Sequence, residues 1–147
     1  MIELIITVVI TASSALLFGY WFRYTCLLIL SAKTARDFAA EVATANQLGF
    51  LAVQSQLRES SADVSGLRQA LDRDYATLKN LLQQSADSSA SVERQMLAIH
   101  YRITSVWFSA TNRFSATAAN KALQEMSMVV AHLANVMGEQ AASAAAA

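Results

Sequence analysis

The chain has no proline, four glycines, one cysteine and two histidines in 147 residues. Without proline nothing in the covalent chain forces a helix to stop, and so few glycines leave little intrinsic weakness in one. An all-α protein follows. The lone Cys26 cannot close an internal disulfide. It falls in an apolar stretch, which suits a reducing or lipid-adjacent setting in which palmitoylation is chemically open to it. Charge is sparse and balanced, with 11 Lys and Arg against 11 Asp and Glu. The acidic residues outnumber the basic ones beyond Arg36, so no nucleic-acid footprint is present.

Chemistry-bearing patterns are equally scarce. His100 and His132 fall on different helices of this reading, and neither belongs to an HExxH or ExxH arrangement. A helical metal site needs several inward-facing donors converging from such spacings. Both histidines are read as half-buried flank residues, and they are the two side chains available if a cofactor were to be ligated. Asp72 and Asp74 are two apart, which points their carboxylates to different helix faces and makes them a solvated surface. No glycine-rich phosphate loop and no GxSxG elbow is found. The expectation is a protein without catalytic residues, metal, cofactor or small-molecule substrate.

What the chain does have is a continuous apolar run, Leu4 to Phe22, without one charge. Nineteen residues at about 1.5 Å each match the roughly 30 Å hydrocarbon layer of a bilayer. A cleaved signal peptide would need a basic start and a cleavage site before polar sequence. Here no Lys or Arg precedes Arg23, and apolar character resumes from Thr25 to Ala32. The segment is therefore read as an uncleaved anchor with the bilayer as its first partner. Tyr20, Trp21, Phe22 and Tyr24 sit where amphipathic rings collect at the headgroup level, followed by Arg23, Lys33 and Arg36. That charge asymmetry predicts an N-terminus outside and a C-terminal body in the cytoplasm. Arg23 either snorkels at the interface or is buried against an acidic partner if the helix runs on through Leu27, Leu28 and Leu30.

The remainder is punctuated by Glu59 to Asp63, Ser85 to Ser91 and Thr111 to Ser115, rich in capping and turn residues. They divide it into helices of about 32–57, 63–84, 92–110 and 116–137, with an interruption available at Asn46 to Gly49. Ser91 and Ser115 are placed to cap the last two helices, and Gly138 to end the fourth. Val92, Met96, Ile99, Ile103, Val106 and Ala110 step by four and three alternately, as do Ala119, Leu123, Met126, Val130, Leu133 and Met137. The second of these helices has Val64, Leu71 and Leu78 seven apart, with Leu67, Tyr75, Leu81 and Leu82 filling alternate positions. Such seams pack helix against helix. The expected architecture is a transmembrane anchor and apolar neck over 1–32, an antiparallel up-down bundle of three to four helices over 33–140, and a disordered alanine-rich tail over 141–147. Leu97, Trp107, Phe108 and Met128 lie beside the seams and are either core or candidates for packing on a partner.

Ile2 to Ile10, in which Glu3 opens an apolar helix, resembles the mature start of type IV pilins. The likeness covers nine residues and implies a filament subunit. It comes without a basic leader ending in Gly and without the strand-and-loop half that pilins carry.

Two function classes remain. One is a noncatalytic accessory or scaffold subunit whose anchor and body pack against a larger membrane protein complex. The other is a self-associating anchored coiled coil, acting as an organiser or a sensor component. Seams that break after about three heptads, at polar loops, favour folding back within one chain and hence the first class.

Overall fold

A computed structural model describes residues 1–32, 36–59, 63–84 and 91–146. Among these the regular structure is all helix, with six helices and no strand: α1 (Ile2–Ser31), α2 (Ala39–Ala45), α3 (Phe50–Arg58), α4 (Val64–Gln84), α5 (Ser91–Thr111) and α6 (Ala116–Ala146). It divides into two compact units, Met1–Lys33 and Thr34–Ala147.

The first unit is α1, an unbroken helix of 30 residues that is long and apolar enough to cross a membrane. It does not stop at Arg23. Its few polar side chains turn inward on its own backbone: Thr7, Thr11 and Thr25 donate to the carbonyls of Glu3, Thr7 and Trp21 at 2.8, 2.8 and 2.9 Å. Hydroxyls satisfied in this way carry no unpaired donor into hydrocarbon.

The second unit is organised around α6, which touches α2, α3, α4 and α5. Ala119, Ala122, Leu123, Met126, Val129, Val130 and Ala134 are buried along it, on more than one side. The predicted seam on this helix is therefore interior, with Met137 half-buried. Leu67, Leu71, Leu78 and Leu82 supply the buried apolar face of α4, while Val64, Tyr75 and Leu81 of the expected line are half-buried. Side-chain pairs record how α6 meets its neighbours. Glu93 of α5 contacts His132 of α6, and His100, seven residues later, contacts Glu125, seven residues earlier. Arg68 and Asp72 of α4 likewise reach Ser109 and Tyr101 of α5, and Leu82 reaches Arg94.

Four expectations are corrected. The break at Asn46 to Gly49 exists, but Gln47 adopts the left-handed conformation, with φ of 53°, while Gly49 is the residue before α3. The Leu48 N–H reaches back to the Ala43 carbonyl at 2.9 Å, and the Asn46 side chain donates to Val42 at 3.0 Å, so polar groups end α2 without a glycine. Gly138 does not end α6. It is buried in mid-helix, where its missing side chain admits Phe38, and the helix continues to Ala146. Alanine, the strongest helix former, carries the last turns of a segment expected to be disordered. Ser115 does cap α6, accepting from the Ala118 N–H at 3.3 Å. The side chain of Ser91 and the Ser85 to Ala90 turn lie outside the described residues.

The fourth correction concerns α5. Its alternating four-three line faces outward, with Ile99, Ile103 and Val106 exposed by 43, 54 and 70% and Met96 half-buried. The interior face is Leu97, His100, Tyr101, Thr104 and Phe108. This helix carries two apolar faces, and polar complementarity chose between them. Tyr101 donates to Asp72 at 2.8 Å and stacks on Tyr75 with centroids 4.0 Å apart, while the Thr104 hydroxyl donates to the His100 carbonyl at 2.9 Å. The two Tyr101 contacts would be lost if the helix were turned around, whereas the Thr104 hydroxyl is satisfied within α5 itself and so can be buried at no cost.

Candidate membrane and partner interface

In α1 the aromatic belt is built on successive turns. Tyr20 stacks along Tyr24 at 6.4 Å, Trp21 meets Tyr24 edge-on at 6.1 Å, and Phe18 stacks along Phe22 at 6.5 Å. The i,i+4 spacing of a helix places each pair one above the other. Arg23 lies inside this belt, and Leu27, Leu28 and Leu30 occupy the turns that follow it, with Leu28 exposed. Of the other basic residues expected at the interface, Lys33 lies outside the described residues. Arg36 is exposed and holds its guanidinium 5.1 Å from the centre of the Phe38 ring.

The body carries a second candidate surface, the outward face of α5. Val92, Ile99, Ile103, Val106 and Trp107 are all exposed, and Phe114 stands at the tip of the following turn, 88% exposed. Arg102 joins Ile103, Val106, Trp107 and Ala110 around a shallow hollow of about 360 Å³. No Asp or Glu occurs between Glu93 and Glu125, whereas Arg94, Arg102, Arg113 and Lys121 do. Periodicity marks this line for packing within the body, whereas the structure leaves it exposed. Trp107 lies on the open face, as a partner-packing residue must. Phe108, expected beside it, is interior, with the Arg68 guanidinium 5.3 Å from its ring centre. Met128 is half-buried at a cleft of about 560 Å³ between α3 and α6, which Gln54, Arg58, Asn120 and Lys121 also line.

The histidines belong to the seam between α5 and α6. His100 is buried with Nε2 3.8 Å from Glu125 Oε2, and His132 Nε2 lies 2.8 Å from Glu93 Oε1. His132 is half-buried, as its place beside the seam predicts, whereas His100 is fully buried; each is matched to one carboxylate on the facing helix. No group of three His, Cys, Asp or Glu side chains converges among the described residues.

Asp74 is not part of a solvated face. It is buried, and its Oδ2 accepts from the Gly49 N–H at 2.7 Å, satisfying the first turn of α3 from a different helix. Burial raises its carboxyl above the ordinary value, against the opposing pull of the Gly49 and Phe50 N–H groups and of Arg73. Burial, followed by the bond to Asp72, pushes the Tyr101 phenol far above its usual range, so it remains a donor at any physiological pH. Sequence spacing gave no sign of Asp74, because its partner is a backbone amide 25 residues away.

No protein-family profile, curated protein or solved structure matches this chain.

Proposed function

We propose that this protein is a noncatalytic single-pass membrane accessory or scaffold subunit whose anchor and helical body pack against a larger membrane protein complex. Its N-terminus lies outside, and its body, an antiparallel up-down bundle, lies at the cytoplasmic face. The observation that carries the reading is the continuity of α1. Thirty helical residues extend about 45 Å, roughly half as long again as the hydrocarbon layer. With the span ending at the Tyr20 to Tyr24 belt, the turns bearing Leu27, Leu28 and Leu30 project beyond the lipid core as an apolar collar. Such a collar is costly to leave in water and is best covered by protein. The antiparallel arrangement is supported by the contact pairs, in which rising residue numbers on one helix meet falling numbers on the next.

The test is purification of the tagged full-length chain in mild detergent, with size and composition compared for the native sequence and for a variant with Leu27, Leu28 and Leu30 changed to Ser. A heteromeric complex of fixed stoichiometry that dissociates in the variant is the expected result. A homo-oligomer with no companions would instead select the second reading, a self-associating membrane organiser.

A further inference from the structure

The outward face of α5 is the largest apolar feature of the body that its own core does not use. It runs from Val92 to Ala110, about 27 Å along the helix, and Phe114 extends it at the tip. Two properties narrow what can cover it. The first is charge: Arg102 and Arg113 are exposed on this helix and its turn, and the 31 residues from Arg94 to Gln124 contain no carboxylate. The second is the state of the flanks. In a two-stranded coiled coil, charged pairs between chains form at the positions beside the seam. Here those positions on one side are Glu93, His100 and Trp107; the first contacts His132 and the second is buried beside Glu125. A second copy would bring Arg102 and offer no carboxylate to meet it.

We propose that this face docks on the anionic headgroup layer of the bilayer in which α1 is anchored. The inference rests on the reading of α1 as a membrane anchor. An apolar stripe with an indole and a phenyl ring, flanked by arginines and free of acidic residues beyond Glu93 at its first turn, is the composition of a helix lying in a membrane interface. The rings of Trp107 and Phe114 enter the boundary between headgroups and acyl chains, where aromatic side chains partition best. Arg102 and Arg113 reach lipid phosphates. The tether supplies proximity, so a shallow contact is enough to hold the body down. The complex proposed above then takes the apolar collar of α1, and the two surfaces do not compete.

The chain has two tryptophans, so Trp21→Phe leaves Trp107 as the only one. Full-length protein with this change is reconstituted into vesicles of phosphatidylcholine, alone or with about one-third phosphatidylglycerol, each with and without brominated acyl chains. Flotation confirms insertion, and far-UV circular dichroism confirms the fold. The expected result in the anionic vesicles is blue-shifted Trp107 emission, quenching by brominated lipid and protection from acrylamide. Arg102→Glu with Arg113→Glu lowers the equilibrium constant for docking by more than about tenfold, since each arginine near an anionic surface contributes roughly a fivefold gain in partitioning. Trp107 equally open to acrylamide in both lipids and unquenched by bromine overturns the proposal. So does a Trp107 shielded from acrylamide yet unquenched by brominated lipid, which means that protein covers the face. Quenching that survives the double charge reversal overturns the electrostatic part. Failure to float is a separate outcome, which removes the anchor reading itself.

Discussion

Gly138 of α6 lies against Phe38, so close that a Cβ at position 138 would collide with the Cβ of Phe38, with Val42 Cγ2 another 3.3 Å away. One turn earlier, Asn135 accepts from the Phe38 N–H at 2.7 Å. Together the two contacts clamp the start of the body, just before α2, onto its longest helix. Gly138→Ala should therefore destabilise the body by about 1–2 kcal/mol, because overpacking outweighs the helix-propensity gain of about 1 kcal/mol. Denaturant titration of the full-length chain in mild detergent measures this. A stabilised variant would show that Phe38 yields freely.

The assignment of faces on α5 gives opposite expectations for neighbouring apolar residues. Leu97→Ala, at a position only 1% exposed, should cost about 2–5 kcal/mol. Ile103→Ala and Val106→Ala should change stability by less than about 0.5 kcal/mol, as exposed positions do. Thermal melts of the three variants decide the matter, and the reverse ranking would restore the four-three line to the interior.

Asp74 sets a dependence on pH. A carboxyl raised by burial binds its proton more tightly in the folded protein than in the unfolded chain. Its contribution is therefore least favourable above its folded pKa and improves as pH falls through that value towards the unfolded one. Asp74→Asn keeps an acceptor for Gly49 and removes the titration. Relative to this variant, the native protein should gain stability as the pH is lowered from neutral into the acidic range. Asp74→Ala leaves the Gly49 N–H buried without its acceptor and should cost about 1–3 kcal/mol at all pH values. A native protein that loses stability relative to Asp74→Asn on acidification would contradict the burial argument.

Orientation rests on few charges. Changing Arg23, Lys33 and Arg36 together to Gln should randomise or invert the position of a reporter fused to the C-terminus, as the excess of Lys and Arg sets topology. A reporter that stays cytoplasmic in that variant shows that something other than these three residues holds the body inside.

The spanning length of α1, the helical class and the near-correct ends of α4 and α5 were legible because they depend on local properties: hydrophobic run length, the absence of proline, and polar residues at the turns. The buried leucines of α4 and the seam of α6 were legible for a related reason: α4 has one leucine-rich side, and α6 is enclosed on more than one side, so its seam is interior whichever neighbour it meets. On α5 that reasoning failed. Ile99, Ile103 and Val106 form the more regular line, but Leu97, Tyr101 and Phe108 form a comparable one, and periodicity has no means of ranking two faces of similar apolar content. Gly138 misled for a similar reason, because a glycine near an expected helix end and a glycine under a neighbouring side chain look alike in sequence.

The sequence by itself therefore determined a membrane-length helix, a body of further helices and the positions at which most of them start and stop, all consequences of short-range physics. Tertiary structure alone decided which face of α5 is inside, that Asp74 caps α3 from another helix, that His100 and His132 each face a glutamate, and that α6 passes Gly138 unbroken. Each of these depends on partners 25 to 100 residues away in the chain. At such separations burial, hydrogen-bond matching and steric fit are properties of the assembled body rather than of any segment within it.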